Sequence, residues 1–403
     1  MRRREFLGAA AAAVGPRAKI TRITITPIEG RFHKTVAMNA YDKAPKGDTY
    51  STYLLRIFTD QGVSGTGTLG YQAPDQRMLE LLHQLIGSNP LAHYLIEDRR
   101  IRGIGGRFPV WLLYRFLDSA LFDLIGQLLG VPCHGLIGET IRDRVEVYDG
   151  TLYFSDVMRP EKGVAAVVEE AEESVRAGYR GLKLKVGRPG KWMPGAAGVA
   201  RDIEVVNAVR RAVGAGIKIM ADANNGYRGA FDDAWRFLAE TQKSNLYWIE
   251  EIFPQDPALY ARLKEKMRQS GMKTYIADGE DMGSYVDLEP YMSPRLIDVT
   301  QIDIRRAGFI GNREAAARGA KRGAWCVPHN WGSQIGGLMG LQLAKAVKPV
   351  IAAEDDRSRC DAIIADGYVF RDGHYRVPKT PGLGIRVDEK VYGEKYKGGE
   401  MVI

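Results

Sequence analysis

Three acidic residues close to short apolar runs recur at a nearly regular spacing. Asp222, Glu250 and Glu280 are 28 and 30 residues apart, which is about one strand–helix repeat. If each ends a parallel strand, the carboxylates meet at one rim, where they repel one another unless a cation joins them. Oxygen-only ligation suits Mg2+, with Mn2+ as second choice. The spacing predicts a divalent metal site; Asp278 competes with Glu280 as third ligand, and solvated surface acids are the alternative interpretation.

Two lysines precede these acids in the run Gly181-Leu182-Lys183-Leu184-Lys185. Residues two apart on a strand point the same way, so both lysines face the lumen or rim of a barrel. Beside a second cation, the pKa of such a lysine should fall, which would make its neutral amine a base near pH 7. The alternative is a solvent-facing pair on an edge strand.

A second acid–base group is indicated by His329, which follows the apolar run ending in Val327-Pro328. Asp303 lies 26 residues earlier, and its carboxylate could accept the ring N–H of the histidine and set its tautomer. We expect this pair to face the lysines across the site. Glu354, in the run Glu354-Asp355-Asp356, could donate to a substrate carboxylate if protonated, or could be a surface acid.

The elements that must position these residues alternate from Arg144 onward between short apolar runs and amphipathic stretches. The predicted strands are Val145–Tyr148, Gly181–Val186, Ile217–Ala221, Leu246–Ile249, Thr274–Ala277, Ile297–Ile302, Ala324–Val327 and Pro349–Ala352. The predicted helices are Lys162–Ala177, Val199–Val213, Phe231–Thr241, Pro257–Gln269, Asn312–Lys321 and Ile335–Val347. Eight strands separated by helices predict an α/β fold, a (β/α)8 barrel over residues 144–369. A doubly wound open sheet is disfavoured because no G-x-G-x-x-G follows the first strand.

The preceding residues, 18–143, predict an N-terminal α+β capping domain. Strand-like patterns cover Lys19–Pro27 and Ser51–Thr59, and helical periodicity covers Asp75–Gly87 and Val110–Gly130. The polar stretch His33–Asp48 is long for a hairpin loop, which favours a functional lid. The glycine-rich tail, with the return of residues 370–403, is predicted to pack back on this first module.

Composition excludes several classes of protein. Fifty-seven Lys and Arg residues against 49 Asp and Glu give a net charge of +8, but the charges are scattered and no nucleic-acid motif occurs. We therefore expect a small anionic substrate and no nucleic-acid partner. No apolar run is long enough to span a membrane. The three cysteines show no C-x-x-C spacing, which indicates free thiols.

The N-terminus carries a twin-arginine pattern. Arg2-Arg3-Arg4-Glu5-Phe6-Leu7 precedes an alanine-rich stretch, as in Tat export signals. Residues 1–17 therefore predict export to the periplasm; a basic tail on a cytoplasmic protein is the alternative.

Taken in order, these motifs resemble the enolase superfamily, and within it the mandelate racemase-like group (mandelate racemase/muconate lactonizing enzyme family). The resemblance runs from about residue 19 to 385. Lys183-Leu184-Lys185 resembles the K-x-K motif of the second strand. Asp222, Glu250 and Glu280 match the three metal ligands, with Asn224 in the D-x-N pattern, and Asp303 and His329 match the dyad of strands six and seven. Ser119–Gly138 resembles the end of the capping domain, and Pro381-Gly382-Leu383-Gly384 resembles its closing turn.

The resemblance implies a Mg2+-dependent enzyme that removes the α-proton of a carboxylate through an enediolate intermediate. Lys185 would serve one face, with Lys183 tuning its pKa and touching the carboxylate, and His329 would serve the other face, oriented by Asp303. Glu354 would hydrogen-bond the carboxylate, and Asn224, Tyr148 and Trp331 would bind substrate.

The implied reaction is dehydration of an acid sugar by a homo-oligomeric lyase. Racemisation or epimerisation of a 2-hydroxy acid on the same site is the first alternative. A Schiff-base aldolase that uses Lys185 as nucleophile and a non-catalytic anion-binding barrel are alternatives from other classes.

Overall fold

The computed structural model describes residues 17–71, 73–105, 117–293 and 295–403. The predicted export signal lies almost wholly outside these residues, as does the first part of the predicted helix Val110–Gly130. The described strands are β1 (Ile20–Val36), β2 (Gly47–Thr59), β3 (Ser64–Thr68), β4 (Tyr94–Glu97), β5 (Arg100–Ile104), β6 (Arg144–Leu152), β7 (Gly181–Lys185), β8 (Lys218–Asp222), β9 (Trp248–Glu250), β10 (Tyr275–Asp278), β11 (Val299–Thr300), β12 (Trp325–Cys326), β13 (Ala353–Asp355), β14 (Ile363–Ile364), β15 (Val369–Arg371), β16 (His374–Arg376), β17 (Arg386–Val387) and β18 (Met401–Val402).

The described α-helices are α1 (Gln76–His83), α2 (Asp118–Leu129), α3 (Cys133–Ile137), α4 (Ser155–Met158), α5 (Val164–Arg176), α6 (Ala196–Val213), α7 (Phe231–Thr241), α8 (Pro257–Gln269), α9 (Tyr285–Met292), α10 (Ile304–Ala320), α11 (Gln334–Ala346) and α12 (Glu389–Lys395). The bounds of α7 and α8 coincide with their predicted ranges. Helix α8 begins where it does because Asp256 accepts the N–H of Ala258 at 2.8 Å and Pro257 fills the first helical position. None of the helices in the described ranges is both long and apolar enough to cross a bilayer.

The first module is an antiparallel sheet in the order β18-β1-β2-β3, covered by helix α2. Glycine allows the helix to lie directly on the edge strand, since a Cβ on Gly65 would fall 2.2 Å from the carbonyl oxygen of Ala120. On its outer edge, away from β2, this strand donates to helix side chains: the N–H of Thr66 donates to Asp123 at 2.7 Å and that of Thr68 to Ser119 at 3.0 Å. The connection between β1 and β2 is shorter than the predicted His33–Asp48 loop, because both strands extend into it.

The second half of the chain is a closed barrel, which confirms the predicted fold class. Strands β6 to β12 pair in sequence order and in parallel. The eighth strand closes the ring in two steps: Val350 bridges to Cys326 of β12, and β13 pairs with β6. The eighth strand was predicted at Pro349–Ala352, and this was wrong by about four residues, because its regular pairing with β6 begins only at Ala353. Glu354 therefore lies inside a strand.

A layer of seven apolar side chains fills the barrel below its carboxyl-end rim: Tyr148, Met220, Trp248, Ala277, Val299, Val327 and Ala352. One residue comes from each of seven strands or strand extensions, as expected for inward-pointing positions of a barrel. The layer excludes water from below, so the polar groups at the rim interact in surroundings of low dielectric constant.

The C-terminal tail divides between the two halves. Strand β18 pairs with β1, and Arg56 of β2 pairs with Glu389 of α12 at 2.5 Å. The hairpin β15–β16, however, pairs with β6 and extends the barrel sheet. Helix α12 and β18 thus contact the first module while residues 374–376 pair with the barrel. The assignment of residues 370–403 to the capping domain, like the division at residues 143 and 144, stays a prediction.

Candidate active site

The three acids predicted to hold a metal converge at the carboxyl ends of β8, β9 and β10. Asp222 and Glu250 are the last residues of their strands, and Glu280 lies two residues beyond β10. Each offers a carboxylate oxygen within 4.8 Å of the other two. Asp222 and Glu250 are buried, whereas the side chain of Glu280 is 14% exposed.

Asp278, the competing third ligand, belongs to a different group of contacts. Its Oδ1 accepts from Gln255 Nε2 at 3.1 Å, and its Oδ2 accepts from the hydroxyl of Tyr260. Asp278 therefore serves the packing between β10 and α8, and its oxygens are not among those that converge with Asp222 and Glu250 in the described residues.

The donor set fits a hard divalent cation. All three acids offer oxygen, which is the ligand atom that Mg2+ and Mn2+ prefer. Oδ1 of Asn224 is buried without a hydrogen bond, and Oε2 of Glu280 makes none either, although His329 Nε2 lies 3.3 Å from it. Buried oxygens without donors are costly unless something else satisfies them, and a cation among the acids would do so.

The two lysines of β7 lie among the acids. Lys183 Nζ is 2.8 Å from Glu250 Oε1 and 2.7 Å from Glu354 Oε1. Lys185 Nζ forms an ion pair with Asp222 Oδ2. The expectation of a depressed lysine pKa is wrong for this arrangement: burial acts to lower the pKa of both lysines, but the facing carboxylates outweigh it and raise the pKa above the usual range.

The same charges give the neighbouring acids different pKa values. Burial acts to raise the pKa of Asp222, but Lys185 and Lys183 outweigh it and bring the pKa down to about 2. For Glu250, burial prevails over the attraction of Lys183 and raises the pKa to about 7. The rim therefore holds closely coupled carboxylates whose protonation depends on the cations beside them.

The predicted dyad is formed at the ends of strands six and seven. His329 Nδ1 lies 2.8 Å from Asp303 Oδ2. Asp303 also caps helix α10, since its Oδ1 accepts the N–H groups of Arg305 and Arg306 at 2.8 and 3.1 Å. Burial acts to raise the pKa of Asp303, but the hydrogen bond from His329 and the charge of Arg305 lower it to about 2. Burial acts to lower the pKa of His329, but Glu280 and Asp303 raise it to about 9.

A cavity of about 270 Å3 opens above these groups. It is lined by Asn39, Tyr41, Lys46, Tyr71, Tyr153, Lys185, Asn224, Glu280, Asp281, Asp303, Arg306, His329 and Trp331. Lys185 enters the cavity from β7, the second strand of the barrel, and His329 enters just after β12, the seventh strand. The two bases therefore flank the acids of β8, β9 and β10, which are the third to fifth strands of the barrel. The first module contributes to the wall through Asn39, Tyr41, Lys46 and Tyr71.

Some predicted residues lie below the cavity instead of on its wall. Asn224 and Trp331 line it, as expected of substrate-binding residues. Tyr148 is 2% exposed and lies in the apolar layer, with its ring centre 5.7 Å from Lys183 Nζ. Glu354 faces Lys183 and accepts the N–H of Asn330 at 3.1 Å. Neither Tyr148 nor Glu354 lines the cavity, and their substrate contacts stay predictions.

Several site residues were not anticipated from the sequence. Gln301 donates to Glu250 Oε2 at 2.9 Å, and its position directly after β11 is a signal that could have identified it. Glu251 accepts from Tyr41 at 3.1 Å and from Asn224 at 3.3 Å. Tyr71 donates to Asp303 at 2.6 Å, and no motif surrounds it in the sequence.

Comparison with known proteins places the chain in a family. The family described as "Enolase C-terminal domain-like" matches residues 166–391. D-xylonate dehydratase of Haloferax volcanii is 26% identical over 357 residues, covering 84% of each chain. The structure of galacturonate dehydratase from Geobacillus sp., complexed with D-galacturonate and 5-keto-4-deoxy-D-galacturonate, is 31% identical with a TM-score of 0.81, covering 94% of this chain and 96% of that one.

A third relative carries a metal. A mandelate racemase/muconate lactonizing protein from Geobacillus sp. Y412MC10, complexed with magnesium and tartrate, is 30% identical with a TM-score of 0.83, covering 96% of this chain and 98% of that chain. The resemblance inferred from Lys183, Asp222, Glu250 and His329 is thus confirmed at the level of the family: this chain belongs to the enolase superfamily, in its mandelate racemase and muconate lactonizing group.

Proposed function

We propose that this protein is a Mg2+-dependent lyase that dehydrates an acid sugar after removing the proton beside its carboxylate. The observation that carries the proposal is the convergence of Asp222, Glu250 and Glu280 within 4.8 Å, flanked by Lys185 and by His329. Relatives named as dehydratases of xylonate, arabinonate and galacturonate support the substrate class. When bound to the three acids, Mg2+ would hold the substrate carboxylate and neutralise the charge that develops on it.

Each residue then has a distinct task. Lys185 takes or returns the proton on one face of the α-carbon, while Lys183, tied to Glu250 and Glu354, fixes the electrostatic surroundings of that amine. His329 acts on the other side, with Nδ1 held by Asp303 so that Nε2 is the reacting nitrogen. Asn224 and Trp331 bind the body of the substrate.

The dehydration balances with these groups alone. One base removes the α-proton, and the electron pair of that C–H bond forms a double bond to the neighbouring carbon. The hydroxyl on that carbon leaves as water, with a proton from the imidazolium of His329, and the resulting enol becomes a 2-keto-3-deoxy acid. The raised pKa of His329, about 9, suits a histidine that carries this proton at neutral pH.

Racemisation or epimerisation of a 2-hydroxy acid is the second candidate, because bases from strands two and seven both reach the cavity. A Schiff-base mechanism is disfavoured because it would leave the convergence of Asp222, Glu250 and Glu280 without a task. A library of aldonic and uronic acids, incubated with and without Mg2+, distinguishes these candidates. Mg2+-dependent formation of a 2-keto acid supports dehydration, C2 epimers without keto acid indicate racemisation, and a borohydride-trapped adduct at Lys185 would overturn the proposal.

The outer part of the cavity favours a substrate with a single carboxylate. Its two cations are already paired: Lys46 Nζ lies 2.9 Å from Asp42 Oδ1, and Arg306 Nη2 lies 3.6 Å from Asp281 Oδ1. A second carboxylate at the far end of the substrate would meet these acids without a free cation, whereas sugar hydroxyls hydrogen-bond to either charge.

We therefore expect kcat/KM for an aldonate to exceed that for the matching aldarate by about two- to fivefold, since interactions between exposed charges are worth about 0.2–1 kcal/mol. Asp42→Asn removes the partner of Lys46 and should lower the ratio of kcat/KM for the aldonate to that for the aldarate. Asp48→Asn is the control: it removes an exposed partner of Arg31 and should leave this ratio unchanged. Equal kcat/KM for both acids in the unaltered enzyme would contradict this expectation.

We further propose that residues 18–143 form the capping domain and 144–369 the catalytic domain, that the chain forms a homo-oligomer, and that the twin-arginine segment directs export to the periplasm. Light scattering checks the assembly, and N-terminal sequencing of protein recovered from the periplasm checks the processing.

A further inference from the structure

The carboxylate of Asp303 has one partner that comes from far away in the chain. Its Oδ2 accepts the ring N–H of His329 at 2.8 Å and also the hydroxyl of Tyr71 at 2.6 Å. Tyr71 lies 232 residues earlier, just beyond β3 of the first module. Together with the N–H groups of Arg305 and Arg306 on Oδ1, four donors surround a carboxylate that is 1% exposed.

The ring of Tyr71, which is 49% exposed, has a contact of its own apart from the hydroxyl. The guanidinium carbon of Arg305 lies 3.8 Å from the ring centre, a distance typical of a cation–π contact. Arg305 is itself buried and donates to the carbonyl oxygen of Trp331, which lines the same cavity. The position of Tyr71 thus depends on two parts of the chain: the first module carries the residue, and Arg305 of the barrel, bonded to Trp331, contacts its ring.

These contacts limit what Asp303 can do. The two backbone donors fix Oδ1, so the carboxylate cannot rotate without losing the cap of α10. The other oxygen, Oδ2, accepts from both Tyr71 and His329. Because Tyr71 occupies one of its lone pairs, the imidazole N–H can bond to Oδ2 from one direction only. The ring is then oriented with Nε2 toward the metal-site acid Glu280, at 3.3 Å, and toward the cavity. Partners of this kind change activity by about 10- to 100-fold when removed.

We infer that Tyr71 is a positioning residue of the Asp303–His329 pair, supplied by the first module, so that one of the two bases is aligned only when the module is docked on the barrel. The inference rests on the proposed function, since it assigns the effect of Tyr71 to proton transfer by His329. It predicts that the hydroxyl of Tyr71 affects one face of the substrate and not the other.

Tyr71→Phe removes the hydroxyl and keeps the ring on Arg305. In D2O, we expect exchange of the α-proton on the His329 face to fall about tenfold or more, while exchange on the Lys185 face and KM stay within twofold. In a His329→Asn background, Tyr71→Phe should have no further effect. Tyr94→Phe is the matched control, because it removes a hydroxyl that donates at 2.7 Å to buried Asp118 in the first module; it should alter neither face.

The outcomes separate the two claims. If the unaltered enzyme exchanges neither face of any acid sugar, the proposed function fails. If it exchanges both and Tyr71→Phe leaves the His329 face unchanged, or lowers both faces equally, the positioning role is wrong. A direct readout needs no substrate: in protein labelled with 15N-histidine, the Nδ1–H proton resonance of His329, assigned with His329→Asn, should move in Tyr71→Phe and stay in Tyr94→Phe. An unmoved resonance would overturn the inference.

Discussion

Glu250→Gln should eliminate Mg2+ binding and lower kcat by at least about 1000-fold. The change keeps the size of the side chain but removes one of three charges that converge within 4.8 Å, and Lewis-acid stabilisation is worth several kcal/mol at tenfold per 1.4 kcal/mol. It also removes one of the three carboxylates around Lys183, which keeps Glu354 at 2.7 Å and Asp222 at 3.6 Å. Calorimetric titration with Mg2+ and steady-state turnover measure the two effects.

Glu240→Gln is the matched control for this experiment. It makes the same chemical change on helix α7, where Glu240 is half exposed and pairs with Arg236 at 2.8 Å. An exposed pair of this kind contributes about 0.3–0.5 kcal/mol, so Mg2+ affinity and kcat should not change. Mg2+ affinity and turnover retained in Glu250→Gln would show that the ion, if it binds, lies elsewhere.

The metal rim could be predicted from sequence because its cause is regular. A parallel barrel brings the carboxyl ends of its strands to one face, so an acid at each end of three consecutive strands must meet the others. Asp222 and Glu250 follow directly from this rule. Glu280 did not, because two acids flank Gly279, and only the structure shows that Glu280 converges with the other two acids while Asp278 bonds to Tyr260 and Gln255.

The lysine pKa shows where local sequence is insufficient. A K-x-K pair on a strand implies two neighbouring cations, and on that basis the pKa of Lys185 should fall. The sequence does not give the distance from each cation to the acids of other strands, and in the structure Asp222 is the closer charge to Lys185. The sign of the shift depends on that competition, and a bound cation at the rim would change it again.

Contacts between residues far apart in the chain could not be predicted from the sequence either. Tyr71 has no motif around it, and its relation to Asp303 exists only because the first module is docked on the barrel. Strand eight was misplaced for a related reason: Val350 bonds toward β12, while Ala353 begins the pairing with β6. The apolar run identifies a buried segment but does not indicate which neighbour each part bonds to.

The two-base arrangement leads to the second large effect: Lys185→Ala and His329→Ala should each stop α-proton exchange on a different face. Lys185 reaches the cavity from strand two and His329 from strand seven, so a sugar acid held by the metal rim presents opposite faces to them. Loss of a general base lowers a rate by about 10²- to 10⁴-fold. A pair of sugar acids epimeric at C2, followed by NMR in D2O, reports each face separately.

The pattern across the two epimers is more informative than either rate. Lys185→Ala should retain exchange with the epimer whose proton faces His329, and His329→Ala should retain it with the other, which also excludes unfolding as the cause of each loss. Lys162→Ala controls for removal of a lysine outside the site, since Lys162 Nζ pairs with exposed Glu169 at 2.7 Å. If both variants lose exchange on the same face, the two groups act in series on one proton. If both variants retain exchange on both faces, neither group is the base, and the acid–base roles assigned to Lys185 and His329 are wrong.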